Sequence, residues 1–91
     1  MQLSNEAAGL LVSILNEWNR AEADIKIAEQ VANKVINPSI KELRYAGRRI
    51  VDGLVKAQRD DTSSEVISLF RDALFDCHRA RHDAIDAGTL R

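Results

Sequence analysis

The stretch Val31–Leu43, "VANKVINPSIKEL", decides how this chain folds. On its amino-terminal side apolar residues recur at alternating steps of four and three: Ala7, Leu11, Ile14, Trp18, Ala21, Ile25, Ala28, Ala32 and Val35. Nine such positions without an exception are the heptad seam of an amphipathic helix. The step from Val35 to Ile40 is five residues and breaks the alternation, and it falls on the chain's only proline, Pro38. Proline lacks a backbone donor and pushes the preceding residue out of the helical region, yet it is favoured in the first turn of a new helix, with Asn37 available as its cap. The stretch therefore reads as a chain reversal between two helices rather than one kinked rod.

Working outward, Ser4 is a fitting N-cap and Glu6 a first-turn acid, so helix one is expected over about 4–36. Helix two, about 38–59, carries its own stripe of Ile40, Leu43, Gly47, Ile50, Leu54 and Ala57, widened by Val51 and Val55. "DDTSSE" follows, in which Thr62 and Glu65 have capping-box spacing. Helix three, about 63–87, runs through Val66, Phe70, Ala73, Cys77, Ala80, Ala84 and Ala87, with Gly88 as an expected left-handed stop. The expected fold is all-α: residues 1–91 as a single domain, an up-down-up antiparallel three-helix bundle with a long first helix.

Size and composition narrow the function. Ninety-one residues build a modest core, which association readily supplements. Thirteen basic and fourteen acidic side chains give a formal charge of -1, so no whole-molecule attraction to phosphate exists. The chain has one cysteine, which excludes an intramolecular disulfide and a thiolate zinc cluster. The amino-terminal stretch lacks a basic run, so no leader is expected, and the longest apolar run there, "LLV", is far too short to span a bilayer. A cytoplasmic protein with no membrane association and no cofactor is the expectation.

Three groups of residues invite a functional reading. The first is "GLLVSIL", Gly9–Leu15, in which Leu10, Leu11, Val12, Ile14 and Leu15 point nearly all round the helix. Helix two is shorter than helix one by about ten residues, so some 15 Å of the amino-terminal end of helix one is expected to lie bare. A patch of that kind marks a partner or oligomer interface. It makes a self-associating helical module the preferred function, with a second copy in a homodimer or a helical protein as partner.

The second group is "KELRYAGRR", Lys41–Arg49, on the one basic helix, where six bases stand against Glu42 and Asp52 between residues 38 and 59. Lys41, Arg44, Tyr45, Arg48 and Arg49 suit an anion or nucleic acid, because guanidinium forks match phosphate and tyrosine stacks on bases. The same charges also suit a basic helix set between two acidic ones, and that pairing is preferred. On either reading Arg48 and Arg49 are expected off the packing seam.

The third group is "CHRARHDAID", Cys77–Asp86. His78, His82 and Asp86 follow one another at single-turn spacing, and a metal site would need a further ligand from another helix. The seam through Cys77 and Ala84 puts both imidazoles on the outer side, so solvated side chains are the expectation and Cys77 is expected to pack. "RDALFDCH", with Arg71 and His78 separated by six residues, resembles the arginine–histidine motif of the helical HEPN ribonucleases. That resemblance spans eight residues and lacks the polar residue that usually follows the arginine. It would imply ribonuclease activity with Arg71 and His78 as the active pair.

Overall fold

The computed structural model describes residues 3–59 and 63–89. They form three helices, α1 (Asn5–Ala32), α2 (Asn37–Arg59) and α3 (Ser63–Thr89), in an up-down-up bundle 48 Å long whose first helix is the longest. The Ser4 hydroxyl accepts from the Ala7 amide at 3.1 Å and starts α1 as an N-cap. Thr62, the expected partner of Glu65 in a capping box, lies outside the described residues.

Two helix ends differ from the expectation. α1 stops at Ala32, four residues short, because Asn33 takes the left-handed conformation (φ 55°, ψ 40°) that closes a helix. Val35 is consequently exposed, while Ile36 turns inward, its amide donating to Glu29 Oε2 at 3.2 Å and its carbonyl accepting from Ile40. At the other end Gly88 is no left-handed stop: α3 continues to Thr89 and no described glycine has positive φ. A Cβ on Gly88 would sit 3.7 Å from Ala28, so its small size serves the approach of α3 to α1 instead.

The layers are unequal. α3 packs along both other helices, whereas the backbones of α1 and α2 approach each other at only a few positions. Parallel α1 and α3 are matched from Glu6 beside Arg71 to Ala28 beside Gly88, and antiparallel α2 and α3 from Ser39 beside Ala80 to Lys56 beside Glu65. The expected bare end of α1 is therefore absent. α3 already flanks the first turn, where Ala7 is buried, because α1 ends four residues earlier than expected and α3, nearly as long, runs beside it from end to end.

The α3 seam is buried as its spacing predicts, from Val66 and Phe70 to Ala84. The small residues Ala21, Ala28, Ala73, Ala80 and Ala84 let α1 and α3 approach closely, and burying their facing sides supplies the packing. α2 behaves differently. Its buried residues are Ser39, Glu42, Leu43, Ala46 and Gly53, so the face on α3 is largely small or polar. Ser39 Oγ donates to the Ala80 carbonyl at 2.8 Å, and Gly53 leaves room for the Phe70 ring. The apolar stripe of α2 lies to one side of this face: Ile40, Gly47, Ile50 and Leu54 are half-buried, and Val51 and Val55 exposed.

Candidate functional site: an apolar groove between α1 and α2

Because α1 and α2 each lean on α3 rather than on each other, a furrow runs between them. Leu11, Ile14, Leu15 and Trp18 line it from α1, and Gly47 and Ile50 from α2, with no residue of α3 exposed in it. Its volume is about 320 Å³ and its walls are apolar throughout. That size falls within the range of about 300–1,000 Å³ typical of ligand pockets. Trp18 Cη2 lies 3.7 Å from where a Gly47 Cβ would be, so the tip of the indole ring reaches across to α2 at Gly47. A furrow of this kind keeps Leu15 at 59% exposure, a poor arrangement for a solitary chain.

Of the five apolar residues singled out in α1, Ile14 belongs to the core and forms the groove floor. Leu10 and Leu11 are half-buried, and Val12 and Leu15 stand in solvent. Sequence spacing assigns Trp18, Gly47 and Ile50 to the core, and the structure adds them to the groove. The signal for them is the offset of the apolar stripe of α2 from its small residues Ser39, Ala46 and Gly53, a pattern that needs two neighbours rather than one. A smaller hollow of about 200 Å³ lies between α1 and α3, lined by Ile27, Val31 and Ile85 together with Asp24, Ala28, Ala84 and Gly88.

The charged residues divide by helix face. Arg49 is not off the packing surface: its guanidinium pairs with Asp76, a carboxylate buried in α3. Arg48 turns back on its own helix to Asp52 at 3.3 Å, Arg44 and Tyr45 are exposed, and Lys41 is exposed as well. Across α2 and α3, Lys56 reaches Glu65 at 2.8 Å, and Arg79 Nε lies 3.1 Å from the buried Glu42 Oε2 without the alignment of a hydrogen bond. The Arg79 guanidinium also sits over the exposed Phe75 ring, 5.8 Å from its centroid.

Between α1 and α3 the centre of charge is Glu17, only 7% exposed. Arg81 donates to both its oxygens at 3.2 Å and to Asp24 at 2.9 Å, Arg20 donates at 3.1 Å, and His78 Nδ1 lies 2.9 Å away. Burial alone would raise the Glu17 pKa, but the Arg81 hydrogen bonds, the His78 charge and the Arg20 hydrogen bond together hold it below its ordinary value of 4.5. A depressed carboxylate pKa contributes stability that is present above the unfolded value and lost as pH falls through the folded one. Chemical denaturation across pH 6 to 2 should therefore show stability dropping below about pH 4.5, with a shallower drop in Glu17→Gln. Equal slopes in the two proteins would remove Glu17 from that role.

The histidine stretch resolves into separate contacts. His78 belongs to the Glu17 cluster, whereas His82 is exposed and pairs with Asp86 of its own helix at 3.2 Å. Among the described residues no three His, Cys, Asp or Glu side chains gather in a way that would hold one ion. Arg71, the other half of the ribonuclease-like pair, is engaged with Glu6. Cys77 is fully buried, and burial first, then the charges of Asp76 and Glu17, push its thiol up to about 11. It remains the neutral, unreactive form at physiological pH.

No protein-family model, no curated protein and no solved structure matches this chain. Among the described residues no helix is long and apolar enough to cross a membrane.

Proposed function

We propose that this chain is a helical association module that binds its partner, foremost a second copy of itself, through the α1–α2 groove. The observation that carries the reading is the open apolar furrow of Leu11, Leu15, Trp18 and Ile50 between two helices whose backbones stand apart. A four-helix arrangement is the usual way to cover such a furrow. The partner side of α1 is thus the amino-terminal stripe around Leu11 and Leu15, extended by α2, and no step of chemistry is assigned to it. A reducing, cytoplasmic setting suits the free, buried Cys77.

Leu15→Asp is the direct test. Covering one leucine contributes about 1.5–3 kcal/mol, and a two-fold axis uses each residue twice, so the substitution should weaken self-association at least a hundredfold. The fold should lose no more than about 0.5 kcal/mol, since Leu15 already stands in solvent. Trp18, the only tryptophan, lies in the groove and reports its closure: wild-type emission should shift to shorter wavelength with concentration, and Leu15→Asp should abolish the shift. Emission that stays constant while the mass rises would place the interface elsewhere.

A second reading, anion or nucleic-acid binding through α2, is favoured by the exposure of Lys41, Arg44 and Tyr45. It is weakened by the engagement of Arg49 with Asp76 and of Arg48 with Asp52. Steep loss of polyanion binding with salt is its signature.

A further inference from the structure

The structure sorts the six bases of α2 by the side of the helix they occupy. Arg49 and Lys56 reach across to α3, where they meet Asp76 and Glu65. Lys41, Arg44 and Arg48 follow one another at steps of three and four, so they share one side of the helix, and all three are exposed. Lys41 and Arg44 pair with no carboxylate among the described residues. Arg48 is held by Asp52 of its own helix, in a pair whose side chains are 79% and 45% exposed. Tyr45 stands among these cations, one turn from both Lys41 and Arg48, and is 47% exposed. Packing thus accounts for Arg49 and Lys56 and leaves Lys41, Arg44, Arg48 and the tyrosine ring to solvent.

Resting on the second reading, and apart from the groove, we infer that this side of α2 holds a single-stranded nucleic acid, its phosphates on Lys41, Arg44 and Arg48 and a base stacked on Tyr45. From Lys41 to Arg48 the helix rises about 10 Å, a line of positive charge along which a phosphate backbone can run. The guanidinium forks of Arg44 and Arg48 match phosphate oxygens, and the Arg48–Asp52 pair, a surface pair of little strength, opens to admit one. Glu42, the other carboxylate of α2, is buried beside Arg79, so on this helix Asp52 alone opposes an anion. The tyrosine selects the ligand. An acidic peptide or an inorganic anion satisfies the cations but makes no use of the ring, and a duplex keeps its bases stacked on one another. The unstacked bases of a single strand each offer a face.

Fluorescence anisotropy of a labelled oligouridylate reads the site. At about 50 mM salt, wild type should bind with a Kd of ~1–100 µM and lose affinity with salt along a log–log slope of about -2, the value for three phosphates of a single strand. Arg44→Glu should weaken binding at least tenfold, while Asp52→Asn, which frees Arg48, should strengthen it about threefold. Tyr45→Leu should cost about tenfold toward the oligouridylate and leave binding of inorganic polyphosphate unchanged. An oligothymidylate should bind like the oligouridylate, since the contacts are to phosphate and base. The groove variant Leu15→Asp should bind as wild type does, so this surface and self-association are read separately. Wild type that fails to bind at about 50 mM salt would overturn the inference. So would a duplex bound as tightly as the single strand, or a Tyr45→Leu variant that binds the oligouridylate like wild type, either of which marks a general anion surface.

Discussion

Gly53→Ala is expected to destabilise the protein by about 1–3 kcal/mol and to lower its melting temperature by roughly 5–20 °C. In an ordinary helix interior the same change stabilises by up to about 1 kcal/mol, because alanine restricts the unfolded chain and glycine does not. Here the sign reverses. A Cβ at position 53 would lie 2.5 Å from Phe70 Cε1 and 3.0 Å from Cδ1, and the Phe70 ring is completely buried with nowhere to retreat. Either α2 shifts away from α3 or the ring leaves its rotamer. Gly9 is the control: a Cβ there would meet nothing within 4 Å, so Gly9→Ala should be neutral or mildly stabilising. Thermal melts of the two variants should move in opposite directions, and a stabilised Gly53→Ala would mean that α2 sits farther from α3 than the Phe70 contact requires.

The larger loss is expected from Arg49→Leu. Asp76 is 3% exposed, and its carboxylate is neutralised by the Arg49 guanidinium, whose own pKa that hydrogen bond raises. Removing the arginine strands a buried negative charge, a change that typically costs about 3–5 kcal/mol. Asp76→Ala should cost less, because the Arg49 side chain is 40% exposed and its charge can turn to water. The double variant Arg49→Leu/Asp76→Leu should recover most of the loss, since replacing both partners by apolar groups is often neutral. A double-mutant cycle by urea denaturation measures the coupling directly. Additive losses would show that the pair contributes nothing of its own.

These two positions also show how much the sequence reveals. α3 is legible in its seam, because a single continuous stripe from Val66 to Ala84 faces two neighbours and all of it is buried, but not in its end, since the helix runs past Gly88. α1 is legible in its seam but not in its end, since the left-handed turn at Asn33 depends on Ile36 being held by Glu29 across the reversal. α2 is legible in part: periodicity marks the apolar stripe Ile40, Leu43, Gly47, Ile50, Leu54 and Ala57 as the packing face, and of these Leu43 is buried while Ile50, Leu54 and Ala57 pack half-buried against the core. Beside Leu43 the helix packs through Ser39, Glu42, Ala46 and Gly53, whose polar members have partners on α3 that local pattern cannot name. The half-buried part of the stripe, Gly47 and Ile50, lines the groove, so the candidate site arises at the edge of the packing face. Helix lengths alone attribute the exposure of the α1 leucines to a bare helix end that does not exist, whereas it comes from the separation of α1 and α2.

The central claim is that this groove closes on a second copy. Sedimentation equilibrium of the wild-type protein over a concentration series reaching the millimolar range measures it most directly. The expected result is a mass rising from one chain of 10.2 kDa to a plateau at twice that value, with Leu15→Asp remaining at one chain throughout. A wild type that holds the mass of a single chain across the whole series, with its fold intact, would contradict it.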